Sequence, residues 1–222
     1  NRLGDDFTRH SGNLAMPGFT APKLMWIKQH EAAIYRQIRH VLLPKDYLRF
    51  VLTNELSTDP SDASGTLWMN PRTRQWDDAL IELTTVNREW LPDVIEGPEE
   101  TGMVTLEATR KFGLPRVPVV AGGGDNACGA LALGISNPGQ TFISLGTSGV
   151  FFTVSDSHQA CPEKTVHAFA HALPNTWHQM TVTLSAAHSL NWLSSITGQS
   201  VADMVNRVSV SKQTETEAQF LP

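Results

Sequence analysis

"VVAGGGDNACGALALG", residues 119–134, places three consecutive glycines directly before Asp125. Glycine inside a strand or helix costs about 0.5–1 kcal/mol against alanine, so a triple run marks a place where the backbone has to turn or pass close to something. Val117, Val119 and Val120 lead into the run as a short β-branched segment, and small and apolar residues at helical spacing follow it in "DNACGALALG". The stretch predicts strand, glycine turn and helix, with Asp125 at the start of the helix. The plain reading is a chain reversal. The sharper reading is that Asp125 is presented where a ligand comes close to the backbone, which residues without Cβ permit.

Downstream, "TFISLGTSGVFFTVS" has two β-rich arms, residues 141–145 and 150–155, around the centre "GTSG", and predicts a hairpin. "TVHAFAHAL" and "TWHQMTVTL" are β-like, and "SAAHSLNWLSSITG" and "SVADMVNRV" carry helical patterns. Upstream, residues 21–38, 45–55 and 77–86 are read as helices, Pro22 suiting a first turn, and "GTLWMNPRTRQW" between the last two as strand and turn. The first hundred residues are therefore expected to be mostly helical. The pattern is α/β.

The 222 residues are 41% hydrophobic and 18% charged, and 17 basic against 22 acidic side chains leave a net charge of −5. Without a basic stripe the sequence argues against a nucleic-acid partner. Cys128 and Cys161 are too few and too scattered for a disulfide framework or a cysteine zinc site. No apolar run approaches the roughly 20 residues of a membrane helix, so no membrane association and a cytoplasmic address are expected. The chain opens on Asn1 and closes on "AQFLP", and reads as an excerpt of something longer.

Two glycine-containing turns at the tips of β structure are the best candidates for chemistry. Gly146-Thr147-Ser148-Gly149 offers closely spaced backbone N–H groups and hydroxyls to phosphate oxygens, and an aspartate held by a glycine turn can take a proton from an attacking alcohol. Together they describe phosphoryl transfer to a hydroxyl, against plain turn chemistry for each taken alone. Other motifs fail: there is no G-x-x-x-x-G-K-[ST], "GGGDNACG" lacks the G-x-G-x-x-G spacing, and "GTSGV" has Val150 where a hydrolase elbow has glycine. His167 and His171 in "HAFAH" lack the glutamate of H-E-x-x-H and are read as structural histidines of a strand. Trp68, Trp76, Trp177 and Trp192 are read as core or cleft-lining aromatics.

"VVAGGGDNACGALALG", "SLGTSGVFFTVS", "HALPNTWHQMTVTLSAAHSLNWL" and the terminal "FLP", in this order, resemble the FGGY family of carbohydrate kinases, its xylulose-phosphorylating members above all. Residues 42–76, with the Asp- and Ser-rich "STDPSDASGT", are similar to the family's middle region. The resemblance implies an actin/hexokinase-like (ribonuclease H-like) two-lobed kinase fold, here partial. Residues 1–136 would be the latter part of the N-terminal lobe and residues 137–222 the beginning of the nucleotide-binding lobe.

It also implies ATP and Mg2+ as cofactors and D-xylulose as the sugar, with gluconate, ribulose, rhamnulose or glycerol as alternatives and a non-catalytic fragment as the reading from another class. Asp125 matches the catalytic base and Asn126 a sugar contact. Gly146, Thr147 and Ser148 match a hairpin at the nucleotide phosphates. Ala187 and Asn191 stand at positions where related kinases have a glycine and a glutamine that contact nucleotide. No metal ligand is named. The family admits a homodimer, and the 222 residues alone are expected to be inactive because the family's first phosphate motif and its adenosine site are not among them.

Overall fold

The computed structural model describes residues 4–211, so the terminal "FLP", Phe220 to Pro222, lies outside the described residues. The chain forms two compact units, Asn1–Thr141 with Thr153–Gln179, and Phe142–Phe152 with Met180–Pro222.

In the larger unit α1 (Gly4–Ser11), α2 (Thr20–His30), α3 (Ala32–Tyr35) and α4 (Pro44–Thr53) precede a two-residue strand β1 (Ser57–Thr58) and a single helical turn α5 (Pro60–Ala63). A tight antiparallel pair follows, β2 (Met69–Asn70) with β3 (Gln75–Trp76), then α6 (Asp78–Thr84) and β4 (Asp93–Val94), which lies parallel to β1. β5 (Glu100–Met103), α7 (Leu106–Phe112), β6 (Pro118–Val120) and α8 (Asp125–Ala132) complete the run, with β6 antiparallel to β5. Further on, β7 (Thr141–Leu145), β8 (Gly149–Ser155), β9 (His167–Ala170) and β10 (Trp177–Thr183) form a four-stranded sheet in the order β7-β8-β10-β9. The smaller unit ends in α9 (Ala187–Thr197) and α10 (Val201–Val210).

Local chemistry accounts for the helix ends. Pro44 opens α4, where a missing N–H costs nothing, and Asn54 closes it in the left-handed region at φ 63. The Asp77 carboxylate caps α6 by accepting from Ala79 N and Leu80 N, the Thr105 hydroxyl caps α7 by accepting from Ala108 N, and Gly113 ends α7 at φ 69. The main core gathers Phe7, Leu24, Leu67, Trp68, Leu80, Ile81 and Leu91. Trp68 is wholly buried, and its Nε1 donates to Thr84 Oγ1 at 2.9 Å, which satisfies the polar end of the ring.

The sequence reading holds for strand, turn and helix around Asp125, for the hairpin of β7 and β8, and for α9 and α10. It is corrected at one helix. The helix expected over residues 21–38 breaks at Glu31, whose φ of −128° and ψ of 49° leave the helical region, and the backbone beyond Tyr35 is not α-helix. The helix α1, the strand β5 and its pairing with β6 went unread. Of the tryptophans read as core or cleft-lining, Trp68 is buried, Trp76 and Trp177 pack on core clusters, and Trp192 on α9 is 48% exposed.

Arg74, in the left-handed region at φ 59, clamps the larger unit from within. Its guanidinium forks onto Glu96 at 2.7 and 2.6 Å and donates to the carbonyl oxygens of His171, Leu173 and Thr176 at 3.0, 3.2 and 2.9 Å. The turn between β9 and β10 is thereby tied down.

Candidate active site

The glycine run explains itself once the larger unit is folded. Gly122 sits at φ +84, a region that side-chain-bearing residues rarely enter. A Cβ on Gly123 would stand 2.7 Å from Ala172 Cβ, 2.9 Å from Cys128 Sγ and 3.2 Å from Ser61 Oγ. Gly124 is less constrained, its Cβ position being 3.5 Å from the Asp62 backbone, an ordinary contact. The run thus relieves crowding within the protein's own packing.

Asp125 is the first residue of α8 and is exposed, with Gly124 as the preceding cap residue. Its Oδ1 accepts from Asn126 N at 2.7 Å and from Asn126 Nδ2 at 3.1 Å, so the two neighbouring site residues are in direct contact.

Behind Asp125 lies a buried charged network that the sequence reading did not single out. Lys45 Nζ lies 2.5 Å from Asp46 Oδ1, 2.8 Å from Asp59 Oδ1 and 3.7 Å from Asp62 Oδ2. Arg49 reaches Asp46 Oδ1 at 3.2 Å and donates to the Ala121 carbonyl oxygen at 2.8 Å, at the entrance to the glycine run. Asp59 caps α5 by accepting from Ser61 N at 2.7 Å and also accepts from the Ser61 hydroxyl. Ser61 Oγ in turn accepts from Gly124 N at 2.8 Å.

These contacts set the proton affinities. Burial alone would lower the Lys45 ammonium, but Asp59 and Asp46 outweigh it and hold the group above its ordinary value. The Asp62 carboxyl is pushed up to about 6, first by burial, with Lys45 opposing and the charges of Asp59, Asp46 and Asp125 adding. Arg49 is lowered by burial against the pull of Asp46 and Asp59.

The second candidate belongs to the smaller unit. Gly146, Thr147 and Ser148 are exposed at the tip of the β7–β8 hairpin, and Gly146 N donates to Ser148 O at 2.9 Å. The tip is pinned to the start of α9: Ala186 N donates to Thr147 O at 2.7 Å and Ala187 N to Gly146 O at 3.0 Å. A Cβ on Gly149 would meet Thr183 Cγ2 at 2.9 Å and Ala186 Cβ at 3.1 Å, so glycine is required for that seat. Ala187 and Asn191 are exposed one turn apart on α9, on the same face. The exposed hydroxyls of a rigidly seated tip are a donor set suited to phosphate oxygens.

The histidines are structural. His167, His171 and His178 are buried in the larger unit, and burial pushes His171 down to about 4 and His178 down to about 3. All four positions of β9 are buried, so the strand has no polar face, and His171 lies just past its end. Among the described residues no three His, Cys, Asp or Glu side chains assemble a cation site. No helix among the described residues is long and apolar enough to cross a membrane.

Comparison with known proteins adds the following. Residues 2–132 match the model of the N-terminal domain of the FGGY family of carbohydrate kinases. The chain is 47% identical over 215 residues to the xylulose kinase of Escherichia coli (strain K12) and 45% identical over 213 residues to that of Klebsiella pneumoniae. Each match takes in 96% of this chain and 44% of the relative, so the chain spans less than half the length of these proteins. Among solved structures, the xyloylose kinase from Brucella ovis superposes with a TM-score of 0.86 at 45% identity, over 91% of this chain and 42% of that one. The xylulose kinase from Rhodospirillum rubrum does so with a TM-score of 0.81 at 26% identity, over 86% and 39%. The fold is accordingly the actin/hexokinase-like α/β kinase fold, present in part.

Proposed function

Since the chain belongs to the FGGY family of carbohydrate kinases, we propose that the whole protein phosphorylates D-xylulose to D-xylulose 5-phosphate at the expense of ATP, with Asp125 as general base. The observation that carries this reading is the exposed Asp125 carboxylate at the start of α8, seated on a glycine turn and backed by a buried network. Asn126 engages Oδ1 only, so Oδ2 is the oxygen that takes the proton from the sugar hydroxyl as that hydroxyl attacks phosphorus. ATP, when bound, supplies the phosphoryl group. Gly146, Thr147 and Ser148 are the residues to hold its phosphate oxygens, Ala187 and Asn191 to meet the rest of the nucleotide, and the Asn126 amide to touch the sugar.

The names of the relatives support xylulose as the sugar. The domain assignment proposed is residues 1–136 to the N-terminal lobe and 137–222 to the nucleotide-binding lobe, in the cytoplasm and, by family habit, in a homodimer. The test is ADP release by the full-length protein with D-xylulose, ribulose, rhamnulose, gluconate and glycerol. The highest kcat/KM is expected with D-xylulose. A preference for another of these reassigns the substrate, and sugar binding without ADP release would move the protein to the non-catalytic reading.

A further inference from the structure

Ser61 has no part in the chemistry just described, yet its hydroxyl is spent on the residue before the base. The side chain is buried, its Oγ accepts from Gly124 N–H at 2.8 Å, and its own proton goes to Asp59 Oδ2. Asp59 is wholly buried and is held in turn by Ser61 N at 2.7 Å and by Lys45 Nζ at 2.8 Å from its other oxygen. The Ser61 proton is therefore committed to Asp59, and a lone pair is left for Gly124.

Gly124 is the cap residue of α8 and contributes no side-chain cap of its own. In a capping box the N–H of the cap residue is taken by a glutamate or glutamine three residues on. Here Cys128 N bonds back to Gly124 O at 2.9 Å, but the Gly124 N–H is met only from 63 positions away in the chain. Glycine is the most permissive backbone, and three of them stand immediately before Asp125. Without an external tie, rotation about Gly124 would swing the carboxylate.

We infer that Ser61 is a positioning residue, fixed by Asp59 and Lys45, that sets the aim of the Asp125 carboxylate through the Gly124 N–H. This rests on the reading of Asp125 as the base. The experiment compares wild type, Ser61→Ala, Asp125→Asn and the double variant in the full-length protein with saturating ATP and the preferred sugar. Misplacement of a reacting group by about 1 Å costs on the order of 100-fold in rate, so Ser61→Ala is expected to lower kcat by about 10- to 100-fold while the sugar KM stays within about threefold. In the Asp125→Asn background the same substitution is expected to leave the residual kcat unchanged, because the group it aims is no longer a base.

A Ser61→Ala kcat within about twofold of wild type, while Asp125→Asn is disabled, overturns the inference; so does an equal loss in both backgrounds, which is the mark of a general structural role. A wild-type kcat in Asp125→Asn sinks the reading of the base instead. Should Ser61→Ala not fold, hydrogen exchange of the wild type resolved to single amides decides. A protected Gly124 amide is expected, and one exchanging at the rate of an exposed loop overturns the positioning role.

Discussion

Replacing Asp62 by asparagine is expected to stabilise the protein at neutral pH. The Asp62 carboxyl is raised from 3.8 to about 6, by burial first and then by Asp59, Asp46 and Asp125, with Lys45 at 3.7 Å as the opposing charge. A carboxyl raised on folding contributes stability in its protonated form. That contribution is complete below about 3.8 and is lost as the pH climbs through about 6. At about 1.4 kcal/mol per pH unit the ceiling of the loss is ~3 kcal/mol. The side chain is 31% exposed and solvent screens it, so a gain of about 1 kcal/mol from Asp62→Asn at pH 7.5 is the expected figure. Urea unfolding of both proteins at pH 7.5 and pH 5 measures it, since other titrating groups cancel in the difference. The gain should shrink to about half at pH 5. A loss at pH 7.5, or a gain that ignores pH, would refute the electrostatic account of this corner.

Asp125→Asn should lower kcat by about 10²–10⁴-fold, the range of a general base, with the sugar KM little changed; steady-state ADP release reads it. Gly123→Ala should destabilise by about 1–3 kcal/mol because its Cβ would press on Ala172 and Cys128 at 2.7 and 2.9 Å, while Gly124→Ala, with ordinary 3.5 Å contacts, should stay within about 0.5 kcal/mol; thermal melts of the pair give the contrast. His171 and His178 are lowered to about 4 and about 3, so the stability of their neutral, buried forms is present above about 6.5 and lost as the pH falls toward those values. The unfolding free energy from urea titration should therefore drop between pH 6.5 and pH 5, by up to about 1.4 kcal/mol per pH unit for each histidine, and a flat value would contradict their burial as neutral rings.

What could be read from sequence was local. The β-branched approach, the glycines and the small-residue helix around Asp125 lie within sixteen consecutive positions, and the hairpin of β7 and β8 within fifteen, so period and turn chemistry sufficed. The support of Asp125 was not legible because Lys45, the Asp59–Ser61 pair and Gly124 come from three separate stretches, none of which shows its partners. The signal that could have found them is the density of aspartate and serine in "STDPSDASGT", which has no helical or strand period and therefore needs partners elsewhere. The break at Glu31 was hidden for the opposite reason. Apolar spacing continues through it, and nothing in the local pattern marks the residue that leaves the helical region.

The Arg74 clamp bears on which changes of length this chain can absorb. Hairpin turns are ordinarily where a fold accepts extra residues, and residues 171–176 connect two neighbouring strands with Pro174 and Asn175 exposed at the tip. Three carbonyls of that turn are spoken for by one guanidinium, and Ala172 within it lies against the Cβ positions of both Gly97 and Gly123. An insertion there would be transmitted through Ala172 to the glycine run and so to Asp125. Although it looks from outside like a spare surface loop, the turn between β9 and β10 is a gauge block whose thickness sets the spacing beneath Asp125.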